Sequence, residues 1–204
     1  MGDACCGNSP NIALLDAKQR RVLTIVMLVN IGSCGMMLAA SLYSGSTSLL
    51  SGTLDNFGDA LTYLLSLLVV GASLRAKARV AMVKGLLILG AAVAVGVQIG
   101  WRLRNPGTPV FEAMGAAALV NLGLNGLCLW LLMPFRNGDI NLASAWECSR
   151  NDVFEGCAVL AAAAGVGLFS SGWPDLVVAV ALLVLFLRSA RRVLSSAWRQ
   201  LRVV

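Results

Sequence analysis

The stretch SLLSGTLDNFGDALTYLLSLLVV, residues 48–70, decides how this chain is read. It is long enough to cross a bilayer, which takes about 20 predominantly apolar residues. Yet it carries two carboxylates, Asp55 and Asp59. A charge at that depth costs about 2.5–3.5 kcal/mol on insertion scales and survives where it faces a bundle interior and finds a partner. Residues four apart lie on one face of a helix, a turn from each other. Two carboxylates so placed repel, and a bound cation or a proton on one of them relieves the repulsion. The blander reading is a pair that caps or frays a helix end, because only residues 49–54 precede Asp55.

Working outward, the same kind of segment recurs. Apolar stretches run over 22–42, 49–74, 80–101, 113–133 and 142–169, and a sixth begins near Pro174 and reaches about Leu194. The sixth has an uninterrupted apolar run only over 176–187, so Arg188, Arg191 and Arg192 are expected to snorkel to the interface. Breakers separate the stretches, at 44–48, 105–107, 137–139 and 170–174. Short connections imply antiparallel neighbours. The expectation is an all-α, polytopic membrane protein with six transmembrane helices. Residues 1–17 read as a flexible cytoplasmic arm, 18–195 as the six-helix transmembrane domain and 196–204 as a short cytoplasmic tail.

Composition agrees. Of 204 residues, 58% are apolar and 13% charged, where soluble domains are nearer half and a quarter. The net charge of +6 does not indicate nucleic acid, because the basic residues sit at the ends of apolar stretches and form no face with interleaved aromatics. Their distribution gives orientation. Lys18, Arg20, Arg21, Arg75, Lys77, Arg79, Arg136, Arg188, Arg191, Arg192, Arg199 and Arg202 fall on one side, and only Arg102 and Arg104 on the other. Both termini are therefore expected in the cytoplasm. The N-terminus lacks the pattern of a cleaved signal peptide.

A second polar cluster interrupts the fifth stretch: Glu147, Cys148, Arg150, Asn151, Asp152 and Glu155. Cys148 and Asp152 are again four apart, on one face. The alternative is a solvated helix start, with Glu147 and Asp152 at the positive end of the dipole. Arg150 is expected to pair with Glu147 or with headgroups. Taken together, Asp55, Asp59, Cys148 and Asp152 offer four side chains, the tetrahedral number for zinc. A thiolate suits Zn²⁺ or Cd²⁺, whereas an all-oxygen shell suits Mg²⁺ or Mn²⁺. The chain has no histidine, which leaves Cys148 as the softest donor near either acidic pair. Asn151 and Glu155 flank the set. The six cysteines otherwise read as small hydrophobes, and Cys5-Cys6 as part of a tail. Asn30, Gln98, Asn121 and Asn125 are expected to hydrogen-bond between helices. Gly32, Gly35, Gly115 and Gly123 are expected to let helices approach closely.

At these residues the sequence resembles the cation diffusion facilitator family of metal exporters. The stretch quoted first resembles that family's second helix. SAWECSRNDVFEGCAVLAAAAGVGL, residues 144–168, resembles its fifth, and SGWPDLVVAVALLVLFLRSARRVL, residues 171–194, its sixth, with Asp175 at the start. By position Asp55 and Asp59 match the second-helix pair and Asp152 the Asp of the fifth-helix pair. Cys148 stands where the family has His or Asp. The family's C-terminal cytoplasmic domain and its His-rich loop have no counterpart here, and a segment containing Lys84 replaces the usual acid of the third helix. The resemblance implies alternating access in the cell membrane, with a divalent metal leaving the cytoplasm as protons move inward. It also implies a homodimer, and no cofactor beyond the metal carried as substrate. Other readings of the same carboxylates are a proton-coupled exporter of organic cations, a membrane-embedded aspartyl enzyme, for which Gly58-Asp59 is a weak echo, and a non-transporting scaffold.

Overall fold

The computed structural model describes residues 17–68, 74–136 and 140–203. Six helices account for almost all of them: α1 Ala17–Ser44, α2 Thr47–Leu68, α3 Leu74–Arg104, α4 Phe111–Leu132, α5 Ile140–Phe169 and α6 Trp173–Val203. A single 3-10 turn, Met133–Phe135, follows α4, and there is no strand among the described residues. The arm with Cys5 and Cys6 and the 137–139 connection lie outside the described residues, as do the side chains of Arg75, Lys77, Lys84 and Glu147.

The expected all-α membrane fold forms. Four helices contain spans long and apolar enough to cross a bilayer: 20–44, 85–104, 111–135 and 148–169. Large apolar side chains face outward along them, among them Leu28, Leu42, Val97, Leu119 and Leu168. That is how a protein presents itself to lipid. α2, with its Ser, Thr and Asp residues, and α6, with its arginine-bearing end, fall short of the same measure. Two boundaries differ from the sequence expectation. Leu74 opens α3 instead of closing α2, so Arg75, Lys77 and Arg79 belong to the first turns of α3. α6 continues without a break to Val203, through the segment expected to be a tail.

α1, α2, α5 and α4 form a closed ring in which each packs on the next and α4 returns to α1. α3 and α6 pack on each other and lean on the ring through α2, with α6 also touching α5. α2 is thereby flanked by α1, α3, α5 and α6, so the helix that carries Asp55 and Asp59 packs on four of the other five. Close approaches lie at Gly85, where a Cβ would come within 2.6 Å of Leu194 Cδ2 so that α3 and α6 touch across it, and at Gly165 and Gly167, where a Cβ would come within 2.9 Å of Pro174 and of Phe111. The glycines singled out from sequence do not play that part. A Cβ at Gly32, Gly35 or Gly123 would meet nothing within 4 Å, and one at Gly115 would make ordinary contact with Ala163.

Three turns meet at one end of the molecule, here called the turn end. Val110 N–H donates to Ser44 O at 3.0 Å, Thr108 Oγ1 to Ser170 O at 3.5 Å, and Arg102 Nη2 to Gly45 O. Gly45 adopts φ 70°, a left-handed conformation that costs glycine little.

Candidate metal-ion site

The ring has two apolar cores, and the polar residues lie between them. Toward the turn end, Met37, Leu49, Met114, Ala117, Ala118, Val159, Ala163 and Val166 pack together. At the other end, Leu23, Val26, Met27, Tyr63, Cys128, Leu132 and Ala145 do so. On every helix of the ring the intervening residues are polar and mostly buried: Asn30 and Ser33 on α1, Asp55, Asn56 and Asp59 on α2, Asn121 and Asn125 on α4, Cys148, Ser149 and Asp152 on α5. Four helices thus place their polar residues in one slab. A polar slab without water to solvate it must satisfy itself or hold something that does so.

The acids meet at the α2–α5 edge. The carboxyl groups of Asp55 and Asp152 lie against each other. A cation between two such groups, or a proton on one donating to an oxygen of the other, relieves their repulsion. Asp59, a turn along α2, and Glu155, on α5, lie within electrostatic range of Asp152, and Asp59 also of Cys128. Cys148 is buried on the same face of α5, one turn before Asp152. Among the described residues no three Cys, Asp or Glu side chains converge closely enough to hold an ion between them. The arrangement is a contacting pair with further acids beside it.

α2 and α4 run in the same direction across the slab. Asn56 Nδ2 donates to Asn121 Oδ1 at 3.1 Å and to Gly52 O at 2.9 Å. One to two turns on, Tyr63 packs with Cys128 and Leu132. Asn125 therefore stands level with Asp59. The expected interhelical role of Asn121 is met by Asn56, a residue the sequence reading did not single out. Asn30 Nδ2 donates instead to Val26 O of its own helix, at 2.9 Å. Arg150 lays its guanidinium over the ring of Trp146, 5.2 Å from the centroid, a cation–π contact; the Glu147 side chain, one of its expected partners, lies outside the described residues. Cys34, Cys128, Cys148 and Cys157 form no disulfide among the described residues.

A further buried acid has a different task. Asp175, in the first turn of α6, accepts from Ser46 Oγ at 2.6 Å, Thr47 N–H at 2.7 Å, Ser48 N–H at 3.0 Å and Ser48 Oγ at 2.6 Å. Ser46 Oγ in turn accepts from Leu49 N–H at 3.1 Å. The opening N–H groups of α2 are thus satisfied by one serine and one carboxylate borrowed from α6. The Ser-Thr-Ser run at 46–48 was the available signal, and on its own it read as a breaker.

Acids set against each other at one edge of a ring of membrane helices are suited to holding a cation within the bilayer. The sequence matches the family described as the Cation efflux transmembrane domain over residues 23–201, and the chain belongs to that family. It is a cation efflux transporter. No curated protein matches it.

Proposed function

We propose that the protein exports divalent transition-metal ions from the cytoplasm, Zn²⁺ foremost and Cd²⁺ and Co²⁺ besides. The ion is held by Asp55, Asp59, Cys148 and Asp152 and exchanged for protons by alternating access. The observation that carries this reading is the juxtaposition of Asp55 and Asp152, which sets one acid of each helical pair against the other where α2 meets α5. A proton shared by two carboxyl groups and an ion bound by the same oxygens exclude each other, which is the elementary requirement of an exchanger. The Lys and Arg asymmetry supports a reading with both termini in the cytoplasm, the cell membrane is the proposed location, residues 18–195 are the proposed transport unit, and the family resemblance favours a homodimer.

The test is metal uptake by proteoliposomes across an imposed pH gradient. Gradient-dependent Zn²⁺ flux that disappears in Asp152→Asn supports the proposal. A folded protein that moves no divalent ion refutes it and turns attention to organic cations.

A further inference from the structure

The slab holds buried polar groups that its own geometry leaves unserved. Asn30 Oδ1, Asn56 Oδ1, Asn125 Oδ1, Ser33 Oγ and Ser149 Oγ are buried and bond to no partner among the described residues. None of these five residues is more than 2% exposed. For Asn30 and Asn56 the amide nitrogen is committed, to Val26 O in one case and to Gly52 O and Asn121 Oδ1 in the other. Their orientation follows from those bonds, and it leaves the oxygens over. A buried carbonyl oxygen without a donor costs about 1–3 kcal/mol. Three carboxamides from three helices in one slab, beside carboxylates, call for a cation or for water.

Ring order separates the two possibilities. The acids meet at the α2–α5 edge, whereas Asn30 and Asn125 belong to α1 and α4, which pack together on the opposite edge. The carboxylates themselves do not close around a point. An ion bonded directly to Asp55 and Asp152 has these amides across the bundle from it, and the groups that can bridge from ion to amide are the ion's own waters, which present hydrogens outward.

We propose that the transported ion crosses the slab partly hydrated and six-coordinate, seated on the carboxylates, with its waters donating to the amide oxygens of Asn30, Asn56 and Asn125. This rests on the export reading above and adds the class of ion. The belt favours ions that accept an octahedral, oxygen-rich shell, Co²⁺ and Mn²⁺, over the softer Cd²⁺. Zn²⁺, without a geometric preference of its own, tolerates it. Asn30, Asn56 and Asn125 are then specificity-determining residues outside the acidic pairs.

Two measurements test this. The first is the visible spectrum of the intact protein loaded with Co²⁺ in lipid nanodiscs. Weak bands of six-coordinate Co²⁺ are expected, and the intense bands of a four-coordinate ion would overturn the proposal. The second compares flux of Co²⁺, Mn²⁺ and Cd²⁺ in Asn125→Leu and Asn30→Leu, of similar size to the parent. Co²⁺ and Mn²⁺ flux should fall about tenfold, one hydrogen bond's worth, with Cd²⁺ changed less than about twofold. An equal effect on all three ions, or none, overturns it. Asp152→Asn is run beside them: loss of every flux there, with the amide variants unselective, refutes the hydrated ion alone, whereas retained flux refutes the acidic site and this inference with it. The spectrum of the parent protein decides even where a variant fails to fold.

Discussion

Asp55 and Asp152 set their carboxyl groups against each other across the edge where α2 meets α5. A proton held between two such groups has to leave before a metal ion can occupy both. Metal binding should therefore release at least one proton, and apparent affinity should rise with pH by about tenfold per unit for each proton displaced. Titration calorimetry in buffers of different ionisation enthalpy counts the protons. A heat that does not vary with the buffer would mean that the shared proton and the ion do not compete.

Asp152→Asn and Asp59→Asn, each nearly isosteric with its parent, should each abolish metal flux while leaving the helical signal and the melting behaviour close to those of the parent. The amide keeps the shape and removes the charge. Flux retained in both would show that the ion takes another route through the ring.

Cys148 is the softest donor in the slab. Cys148→Ser should lower Cd²⁺ flux more than Co²⁺ flux, because the softer ion gains most from sulfur. Equal losses would place the thiol outside the ion's shell.

Replacing Asp175 by Ala strands Thr47 N–H, Ser48 N–H and two serine hydroxyls at the start of α2. Lost caps and orphaned buried donors should together destabilise the protein by about 2 kcal/mol or more. A lowered melting temperature in detergent reads this out, and Asp175→Asn, which still accepts with one oxygen, should fall between the two. An unchanged melt in Asp175→Ala would mean that water replaces the carboxylate at no cost.

Much of this was legible in the sequence, for physical reasons. Apolar length fixes a membrane helix, so α1, α3, α4 and α5 could be read from it, and the breakers on either side marked α2 and α6. Four-residue spacing places side chains on one face, so Asp55 with Asp59 and Cys148 with Asp152 were visible as pairs. Which helices meet is a matter of packing, and the ring of α1, α2, α5 and α4 has no local signature. Hence Asn56 went unnoticed: its value depends on Asn121 lying opposite. Gly32 and Gly35 were over-read for the same reason, since a glycine in lipid looks like a glycine at a contact until its neighbours are known. The division between α2 and α3 was misplaced at Leu74 because hydrophobicity continues through it.

The cap on α2 has a consequence for how the chain is made. Asp175 follows Ser46 by 129 residues. At a synthesis rate of about 5–20 residues per second, α2 exists for roughly 6–26 s before the residue that completes its first turn has been polymerised. Through that interval the helix bearing the acids lacks the carboxylate that accepts from Thr47 and Ser48 N–H, and the ribosome is still making its neighbours. Arrival of the last helix closes the structure, so a nascent chain halted before α6 displays an unfinished α2 to the quality-control machinery of the membrane, and a completed one does not.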